Sequence, residues 1–393
     1  MRRTVEIAGG GIAGLASGLA FARKGWRVRV HEQDSGLRIL GAGIYLWENG
    51  LRVLDALEVL PCVIRDALPG WRHEKRDRLG TLFAQSSISP RFRLYVPLRE
   101  HLLSALYDGL IAAGGEVVFG SRAIAADPEG VLRFADGGTA NADLVIAADG
   151  INSPIRDRLG LLKWRHPVGQ FGYRVMIPRA VAELTSDVGR THCENWNGSR
   201  RLLYAPCTET QAYVQLTSVR GDSAANRTPI DRDLWRATFP HLDWIIDRIP
   251  EHGRGDWFEL VRTRSWSKGR VVLVGDSASG QPPFLGQGGG CAMMSAFTLA
   301  EAIDRARDIT AGIADWQQRE RPFTEWVQRV SHWYGQLAFL PVPLRLAAFR
   351  AIGSSERLKA ATLFVAARRD PTAAAHWHDP QPMARAYDFP AIH

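Results

Sequence analysis

A glycine pattern at the start of the chain restricts its possible folds more than any other feature. An apolar, strand-like run over residues 5–8 leads directly into Gly9-x-Gly11-x-x-Gly14, which opens a helix-forming segment. A second, alternating run over residues 26–32 has the pattern of another strand. Strand, glycine turn, helix and strand in this order predict a β-α-β unit in a parallel sheet, a common frame for binding a dinucleotide.

Each glycine of this turn has its own physical role. Gly9 allows a sharp turn off the strand, Gly11 lets the backbone approach a pyrophosphate, and Gly14 lets the helix pack on the strand. The free amides at the start of the helix, including those of Ile12 and Ala13, would face the phosphates together with the positive end of the helix dipole. The sequence therefore predicts a phosphate-binding site at this turn.

An acidic residue supports the same interpretation. Glu32 lies at the end of the second predicted strand, where a carboxylate can accept hydrogen bonds from the hydroxyl groups of an adenosine ribose. Gln33 follows it and is a further candidate for contact with the cofactor. The turn and the carboxylate fit NAD and FAD equally well, so the identity of the dinucleotide stays open at this point.

Composition and charge argue against several other classes of protein. The 49 Lys and Arg residues exceed the 41 Asp and Glu residues by 8, but no block of like charges marks a nucleic-acid-binding arm. No segment offers about 18 uninterrupted apolar residues, so we expect no membrane span. Four widely separated cysteines without a C-x-x-C pair favour reduced thiols, a cytoplasmic location and no metal site. His376 and His378 lack a third ligand and are expected to be solvated.

Two more apolar strands and a change of pattern between them predict the domain organisation. Residues 143–149 and 270–276 are near-continuous apolar runs that each end on aspartate, as expected for a parallel sheet covered on both faces. The intervening segments show the alternation of an antiparallel sheet with one solvent-exposed face. We therefore predict an α/β fold with a Rossmann-like dinucleotide-binding domain (residues 1–70, 97–162 and 265–330), an inserted substrate domain with a mixed or antiparallel sheet (71–96 and 163–264), and a C-terminal helical segment and tail (331–393).

Two further motifs connect these strands to a known family. D-G-I-N-S-P-I-R at residues 149–156 fits D-G-x-x-S-x-x-R, and G-D at 275–276 is followed by P-x-x-G-x-G at 283–288. With the first glycine turn, in this order and at these spacings, the motifs resemble those of the single-component FAD-dependent aromatic hydroxylases, the group A flavoprotein monooxygenases. The resemblance covers about residues 4–330.

Within that family the chain resembles in particular the oxygenases of pyridine-ring acids, which act on 2-methyl-3-hydroxypyridine-5-carboxylate and 5-pyridoxate. A substrate of that class is therefore one expectation, beside a bicyclic or benzenoid acid. The segments that carry this likeness are residues 40–57, 174–179, 201–213 and 286–299, with shorter matches at 366–371 and 386–390.

The resemblance implies FAD as the cofactor. FAD would lie extended across the N-terminal sheet, with its adenosine at Glu32, its pyrophosphate at the first glycine turn and its flavin toward the inserted domain. Asp276 would accept hydrogen bonds from the ribityl hydroxyls, and a helix that begins near Gly286 would turn its amides to the flavin. The further cofactor contacts that the resemblance implies are those of Arg38, Arg99, Asp149, Gly288, Gly289 and Gly290.

The chain departs from the family pattern at three positions. Ser279 stands where the late motif usually has histidine in Gly-Asp-Ala-Ala-His, and Gly290 and Ser295 replace the usual asparagine and aspartate. Because the oxygenating chemistry belongs to the flavin and not to an imidazole, we expect activity to survive the change at Ser279. The departures nonetheless motivate one alternative, a flavin-binding protein with little turnover.

The activity that the resemblance implies is aromatic hydroxylation. NAD(P)H would reduce FAD, O₂ would form the flavin C4a-hydroperoxide, and one oxygen atom would pass to a small aromatic or N-heteroaromatic acid, with ring opening or decarboxylation left open. Arg174 and Arg201 would clamp the carboxylate of this acid. Tyr45 and Tyr213 would hydrogen-bond its ring substituents, and Pro283 would border the flavin. We expect a monomer or a homodimer.

A related flavoenzyme such as a halogenase is a second alternative. Flavin halogenases carry W-x-W-x-I-P, and none of the 13 tryptophans here forms W-x-W, which argues against it. The sequence shows no separate domain for NAD(P)H, because its G-x-G-x-x-G pattern is already assigned to FAD. The reductant is therefore expected to bind transiently, and the choice between NADH and NADPH stays open.

Overall fold

The structure is a computed structural model, and it describes residues 2–37, 42–88, 92–180, 183 and 187–373. The predicted FAD contact of Arg38 and the histidine pair at 376 and 378 lie outside the described residues. The strands in chain order are β1 (Thr4–Ala8), β2 (Arg27–His31), β3 (Leu46–Trp47), β4 (Arg72–Arg76), β5 (Leu82–Ser87), β6 (Leu94–Tyr95), β7 (Glu116–Val118), β8 (Ala123–Asp127), β9 (Val131–Phe134), β10 (Thr139–Asn141), β11 (Leu144–Ala147), β12 (Leu162–Pro178), β13 (Thr191–Asn197), β14 (Arg200–Pro206), β15 (Gln211–Val219), β16 (Arg254–Thr263), β17 (Ser267–Lys268) and β18 (Val271–Leu273).

The α-helices are interspersed with these strands and become continuous toward the C-terminus. In chain order they are α1 (Ile12–Arg23), α2 (Glu48–Ala56), α3 (Leu60–Ile64), α4 (Arg99–Ala112), α5 (Pro154–Arg158), α6 (Arg232–Thr238), α7 (Asp243–Ile246), α8 (Asp276–Ser279), α9 (Gly288–Arg305), α10 (Ile309–Gln336), α11 (Val342–Ser354) and α12 (Glu356–Ala361).

The first sheet is the parallel sheet that the N-terminal pattern predicts. Its six strands run in the order β17-β18-β11-β1-β2-β7, and neighbouring strands are parallel except for the short β17–β18 pair. The apolar side chains of β1, such as Val5 and Ile7, are buried because α1 and the other helices cover the sheet. The carboxyl ends of β1, β11 and β18 meet at one edge, so the glycine turn, Asp149 and Asp276 follow neighbouring strands there.

The second sheet is built from the segments that the sequence assigns to an inserted domain. Its seven strands run in the order β16-β12-β15-β14-β13-β4-β5. Neighbouring strands are antiparallel, apart from the parallel pair β13–β4. The sheet is therefore mixed, as expected, while the exact domain boundaries stay a prediction.

The expectation that one face of this sheet is exposed to solvent is wrong. On one face, Tyr173 and Val214 belong to an apolar cluster with Trp235 of α6 and Ile245 of α7. The opposite face lines a cleft and is backed by α10, and the polar residues at its centre, Glu194, Arg201 and Gln215, are also buried. The alternation in the sequence thus reflects two faces of different polarity. Helices cover the apolar face, and the polar face lines the cleft.

The C-terminal part of the chain returns to the core instead of forming only a loose tail. Two helices, α11 and α12, follow residue 340, and residues 363–367 are buried. The ring of Phe364 lies 5.6 Å from those of both Trp47 and Phe92, measured between centroids. Aromatic packing therefore holds this stretch against the N-terminal part of the molecule. Within the described ranges, no helix is long and apolar enough to cross a membrane.

Candidate active site

A cleft of about 840 Å³ lies where the carboxyl edge of the first sheet faces the second sheet. It brings together most of the residues that the sequence predicted for cofactor and substrate. Gly14 and Gly290 lie behind its surface, so their contact with a cofactor stays a prediction. The predicted residues that line the cleft are Gly9, Gly11, Ile12, Ala13, Glu32, Gln33, Tyr45, Arg99, Asp149, Arg174, Arg201, Tyr213, Asp276, Pro283, Gly286, Gly288 and Gly289.

The first glycine turn has the geometry that its three glycines predict. Gly9 has φ +100°, and a Cβ there would lie 2.5 Å from the carbonyl oxygen of Ala148 on the neighbouring strand. A Cβ at Gly14 would lie 1.9 Å from the carbonyl oxygen of Gly9, so only glycine lets α1 pack this closely. A Cβ at Gly11 would meet no atom within 4 Å. The start of α1 is therefore open to the cleft.

The carboxylate of Glu32 lies beside this turn, as expected for a residue that contacts the ribose. Its Oε2 accepts a hydrogen bond from the backbone amide of Gly10 at 2.7 Å, and its Oε1 accepts one from the amide of Asp34 at 2.9 Å. The two bonds fix the carboxylate at the mouth of the dinucleotide-binding turn. Its hydrogen bonds to a ribose stay a prediction.

A second helix start opens into the same cleft from the late glycine segment. Gly286 has φ +61°, and a Cβ there would lie 2.6 Å from the Cβ of Tyr45, so glycine is required for this close approach. The helix α9 begins at Gly288 without a side-chain cap, which leaves its first amides available to a ligand. Asp276 begins α8 beside it, and its exposed carboxyl group lines the cleft.

The residues on the dinucleotide side fit FAD by the donors and acceptors they present. Asp149 lines the cleft, and its buried Oδ1 has no hydrogen-bond partner among the described residues. Burial raises the pKa of Asp149 to about 6. Together with the open starts of α1 and α9, this unsatisfied acceptor suits a long polar cofactor with phosphates at one end and a ring system at the other.

The substrate side of the cleft is a polar wall formed by alternate residues of the second sheet. Because side chains on a strand alternate between faces, these strands direct a matching set to the cleft. Apolar side chains of Leu203, Phe258 and Phe284 lie among the polar ones. The polar members of the wall, here called the substrate wall, are His73, Arg174, Glu194, Arg201, Tyr213 and Gln215.

Arg201 and Glu194 form an ion pair at the centre of the substrate wall. Arg201 Nε lies 3.2 Å from Glu194 Oε2, and both side chains are almost completely buried. Burial alone would raise the pKa of the Glu194 carboxyl group, but the positive charges of Arg201 and Lys75 outweigh it and lower the pKa to about 2. The carboxylate is therefore ionised and neutralises the guanidinium group that the sequence assigned to a substrate carboxylate.

Arg174, the second arginine assigned to the substrate, is also paired within the chain. Its Nη2 donates to Asp256 Oδ2, and the same oxygen accepts a hydrogen bond from Arg254 Nε at 2.7 Å. All three side chains line the cleft. Both predicted carboxylate clamps thus face carboxylates of this protein, and their role as clamps for a substrate stays a prediction.

Two histidines, His73 of the substrate wall and its buried neighbour His192, lie next to Glu194 and Tyr45. His192 Nδ1 lies 3.1 Å from the hydroxyl group of Tyr45, and His73 Nε2 lies 3.5 Å from Glu194 Oε1. Burial lowers the pKa of His192 to about 4, and burial with the charge of Lys75 lowers that of His73 to about 3. Burial also raises the pKa of Tyr213 to about 12. At neutral pH these three groups are uncharged.

Ser279 and Ser295, two of the departures from the family pattern, face one small polar chamber next to Asp276. The chamber has a volume of about 10 Å³ and is also lined by Thr324 and Gln281. The hydroxyl groups of both serines and of Thr324 are buried without a partner in the described part of the chain. The space holds about one water molecule and is too small for an imidazole. Serine at 279 is therefore matched to its surroundings.

Several residues of the site could not be singled out from the sequence. Glu194, His73 and Gln215 lie on strands whose alternation suggested a solvent-exposed polar face. The available signals were two polar clusters far apart in the sequence, H-E-K at 73–75 and H-C-E-N at 192–195. Each of them is equally typical of a hydrated surface. Only the pairing of β4 with β13 shows that the two clusters meet inside the protein.

Comparison with known proteins agrees with this geometry. A family profile described as "FAD binding domain" matches residues 2–312. The chain belongs to the FAD-binding group A flavoprotein monooxygenases. A 2-heptyl-3-hydroxy-4(1H)-quinolone synthase from Mycobacteroides abscessus is 38% identical over 354 residues, which cover 89% of this chain and 94% of that protein. A Rhodococcus erythropolis protein named "Putative 2-heptyl-3-hydroxy-4(1H)-quinolone synthase AqdB1" is 40% identical over 352 residues, covering 89% of this chain and 92% of that protein.

A solved structure extends the likeness to the whole fold of this monooxygenase. The tetrameric form of 2-methyl-3-hydroxypyridine-5-carboxylic acid oxygenase superposes with a TM-score of 0.85 at 34% sequence identity, and the match covers 94% of this chain and 97% of that one. The protein is therefore an FAD-dependent, NAD(P)H-dependent monooxygenase of aromatic or heteroaromatic substrates. These relatives argue against a flavin-binding protein with little turnover.

Proposed function

We propose that this monooxygenase hydroxylates a ring carbon of a 4(1H)-quinolone, using FAD, NAD(P)H and O₂. The observation that carries the proposal is a pair of donors in the substrate wall. Arg201 Nη1 and Gln215 Nε2 are both buried, and neither has a hydrogen-bond partner among the residues described. A flat ring with a carbonyl oxygen supplies the acceptor that these donors lack.

The surroundings of the two donors suit a bicyclic ring. Leu203, Phe258 and Phe284 line the same cleft and offer apolar contacts to the faces and edges of an aromatic system. The two relatives named for quinolone synthesis align with 89% of this chain, at 40% and 38% identity. The activity in their names favours a quinolone over the pyridine acid that the sequence suggested, and the likeness to the pyridine-acid oxygenase keeps the acid as the competitor.

The residues of this chain would bind and orient the ring and exclude water. FAD, when bound and reduced by NAD(P)H, supplies the activation of O₂ and the transfer of one oxygen atom. Arg201 and Gln215 would hold the carbonyl oxygen, which fixes the ring carbon that faces the flavin side of the cleft. Pro283 and Phe284 would close the cleft at that side, which protects the oxygenating chemistry from water.

The test compares two substrates on the purified, FAD-loaded protein. We expect 2-heptyl-4(1H)-quinolone to accelerate NAD(P)H oxidation and to give a product that carries one ¹⁸O atom from ¹⁸O₂. We expect 2-methyl-3-hydroxypyridine-5-carboxylate to do neither. Acceleration and labelling with the pyridine acid alone, or with neither compound, would contradict the proposal.

A substitution at Gln215 tests the binding geometry. Gln215→Met removes the donor while keeping a side chain of similar length, so the Kd of the quinolone should rise about tenfold, the cost of one hydrogen bond of ~1.4 kcal/mol. The measurement is the perturbation of the flavin absorbance during titration with the quinolone. Thr217→Val is the matched control, because Thr217 lies on the same strand without lining the cleft. An equal loss in both variants would show that Gln215 does not contact the ring.

A further inference from the structure

We propose that Glu194 sets the charge of the ring that the cleft accepts. By neutralising Arg201, it makes the site selective for an uncharged heteroaromatic ring over an aromatic acid. The inference rests on the proposed function, in which the ring binds against Arg201. It concerns a residue that the sequence did not single out, and it departs from the aromatic acid that the sequence predicted.

The position of the pair makes the neutralisation effective. Glu194 and Arg201 are 1% and 2% exposed, so water screens their interaction very little. The guanidinium group of Arg201 also lies over the rings of Trp196 and Phe284, at 5.7 and 6.0 Å from their centroids. The aromatic rings hold the guanidinium group in place, and the carboxylate of Glu194 cancels its charge. Arg201 can therefore donate hydrogen bonds but has no net attraction for an anion.

Glu194 is held in place by further partners, so a ligand would not displace it easily. Trp196 Nε1 donates to its Oε2 at 3.2 Å, and the hydroxyl group of Tyr334 donates to its Oε1 at 3.4 Å. A substrate carboxylate on Arg201 would therefore be buried beside a fixed carboxylate. Two negative charges side by side in a site without water repel each other strongly, and this repulsion opposes the binding of an acid.

The other charges around Glu194 do not restore an attraction for acids. Lys75 is the second cation near it, but its ammonium group does not line the cleft. That group lies 5.8 Å and 5.4 Å from the ring centroids of Tyr334 and Phe349, away from the ligand. His73 is neutral at physiological pH. Arg174 and Arg254 share the carboxylate of Asp256, and the remaining positive charge is screened by water because the Arg254 side chain is 55% exposed. The charge beside the ring is thus decided by Glu194 and Arg201.

The experiment uses pairs of ligands that differ in charge and little else. The probes for the FAD-loaded protein are 2-methyl-4(1H)-quinolone and 4-oxo-1,4-dihydroquinoline-2-carboxylate, followed by the flavin absorbance and by the shift of the unfolding temperature. A second pair, benzamide and benzoate, makes the charge test independent of the quinolone ring. The wild-type protein should bind the neutral member of each pair at least about tenfold more tightly.

Glu194→Gln should reverse this preference. The amide keeps the size of the side chain, and its oxygen can accept from Trp196 while its NH₂ group donates to the hydroxyl oxygen of Tyr334. It leaves Arg201 as an uncompensated buried cation. We expect the ratio of the two Kd values to move about 10- to 100-fold toward the acid, at the lower end of the range measured for close charge pairs. The acid should also raise the unfolding temperature of this variant more than the neutral ligand does.

Two further variants separate charge selection from damage to the fold. Glu194→Gln/Arg201→Gln removes both charges, so its preference should return to the neutral ligand. Glu74→Gln is the matched control, since Glu74 is equally buried on the same sheet and paired with Arg72 and Arg76, but lies outside the cleft lining. It should keep the wild-type preference.

Each outcome decides one of the two proposals. A wild-type protein that prefers the acids, a Glu194→Gln variant with an unchanged ratio, or a double variant that behaves like Glu194→Gln would overturn the role of Glu194. A wild-type protein that binds neither quinolone, while benzoate binds only after Glu194→Gln, would sink the proposed function and leave the role of Glu194 standing.

Discussion

His73 and His192 lie inside the protein, and their burial decides their charge. Each is forced into the neutral form, with a pKa of about 3 for His73 and about 4 for His192. In an unfolded chain both would titrate near the ordinary histidine value of about 6.5. The unfolded state therefore takes up protons first as the pH falls, so these two residues make the folded state less stable in acid.

We expect His192→Gln to reduce the acid sensitivity of the protein. Between pH 6.5 and pH 5 the unfolded wild-type protein binds a proton at His192 that the folded protein does not bind, which lowers its free energy of unfolding. Over that interval the variant should lose about 1.5 kcal/mol less of its free energy of unfolding than the wild type. The measurement is denaturant unfolding at several pH values. His252→Gln, at an exposed position, is the control and should follow the wild-type profile. Identical slopes in all three proteins would contradict this account.

The start of α1 shows how one element serves packing and binding through different glycines. A Cβ at Gly14 would collide with the backbone of Gly9 inside the β-α turn, whereas a Cβ at Gly11 would project into the open cleft. Gly11 has φ −79°, a value that any residue adopts, so its glycine is not required by the backbone. The fold needs Gly14, and we expect the cofactor to need Gly11.

Alanine at the two positions should therefore have separable effects. Gly14→Ala should lower the free energy of unfolding of the FAD-free protein by about 1–3 kcal/mol, because the turn must open to admit the methyl group. Gly11→Ala should leave that stability within about 0.5 kcal/mol but weaken FAD binding at least about tenfold, because the methyl group would keep a pyrophosphate from the backbone. Denaturant unfolding and quenching of flavin fluorescence measure the two effects. Equal destabilisation by both substitutions would refute the division of roles.

At the scale of the whole molecule, three parts of the chain distant in sequence build one cleft. The first sheet supplies the glycine turns, the second sheet supplies the substrate wall, and the C-terminal stretch supplies Leu363 to the lining. Phe364 fixes that stretch between Trp47 and Phe92. Arg369 adds an ion pair with Glu320 of α10 at 2.7 Å, and both side chains are largely buried. The cleft is therefore complete only when the C-terminal stretch is docked.

Phe364→Ala should weaken this docking. The substitution removes a buried ring, and we expect a loss of about 3 kcal/mol in the free energy of unfolding, together with a changed flavin absorbance because Leu363 lines the cleft. Leu344→Ala, at a side chain that is 60% exposed, is the control and should change neither property. Unfolding curves and flavin spectra of the FAD-loaded variants are the measurements. A Phe364→Ala protein with wild-type stability would mean that the C-terminal stretch is not part of the core.

The sequence by itself determined the parts of this protein that depend on local rules. The glycine turn, the strands that end on aspartate and the late glycine segment are encoded by backbone freedom and hydrophobic periodicity, which act within a few residues. They were enough to predict the parallel sheet and a dinucleotide site at its edge, and the family resemblance of the same motifs added FAD and further residues that line the cleft. Ser279 could also be recognised as a departure, although its fit to a small chamber could not.

Only the tertiary structure decided the chemistry of the substrate wall. Alternation along β13 and β14 shows that Glu194 and Arg201 lie on one face of the sheet, but not whether that face meets water or other side chains. The packing of α10 and α11 buries that face, and burial turns an exposed pair of little energetic consequence into a fixed internal neutralisation. Local patterns cannot supply this information, because the cost of burying a charge depends on what the rest of the chain places around it.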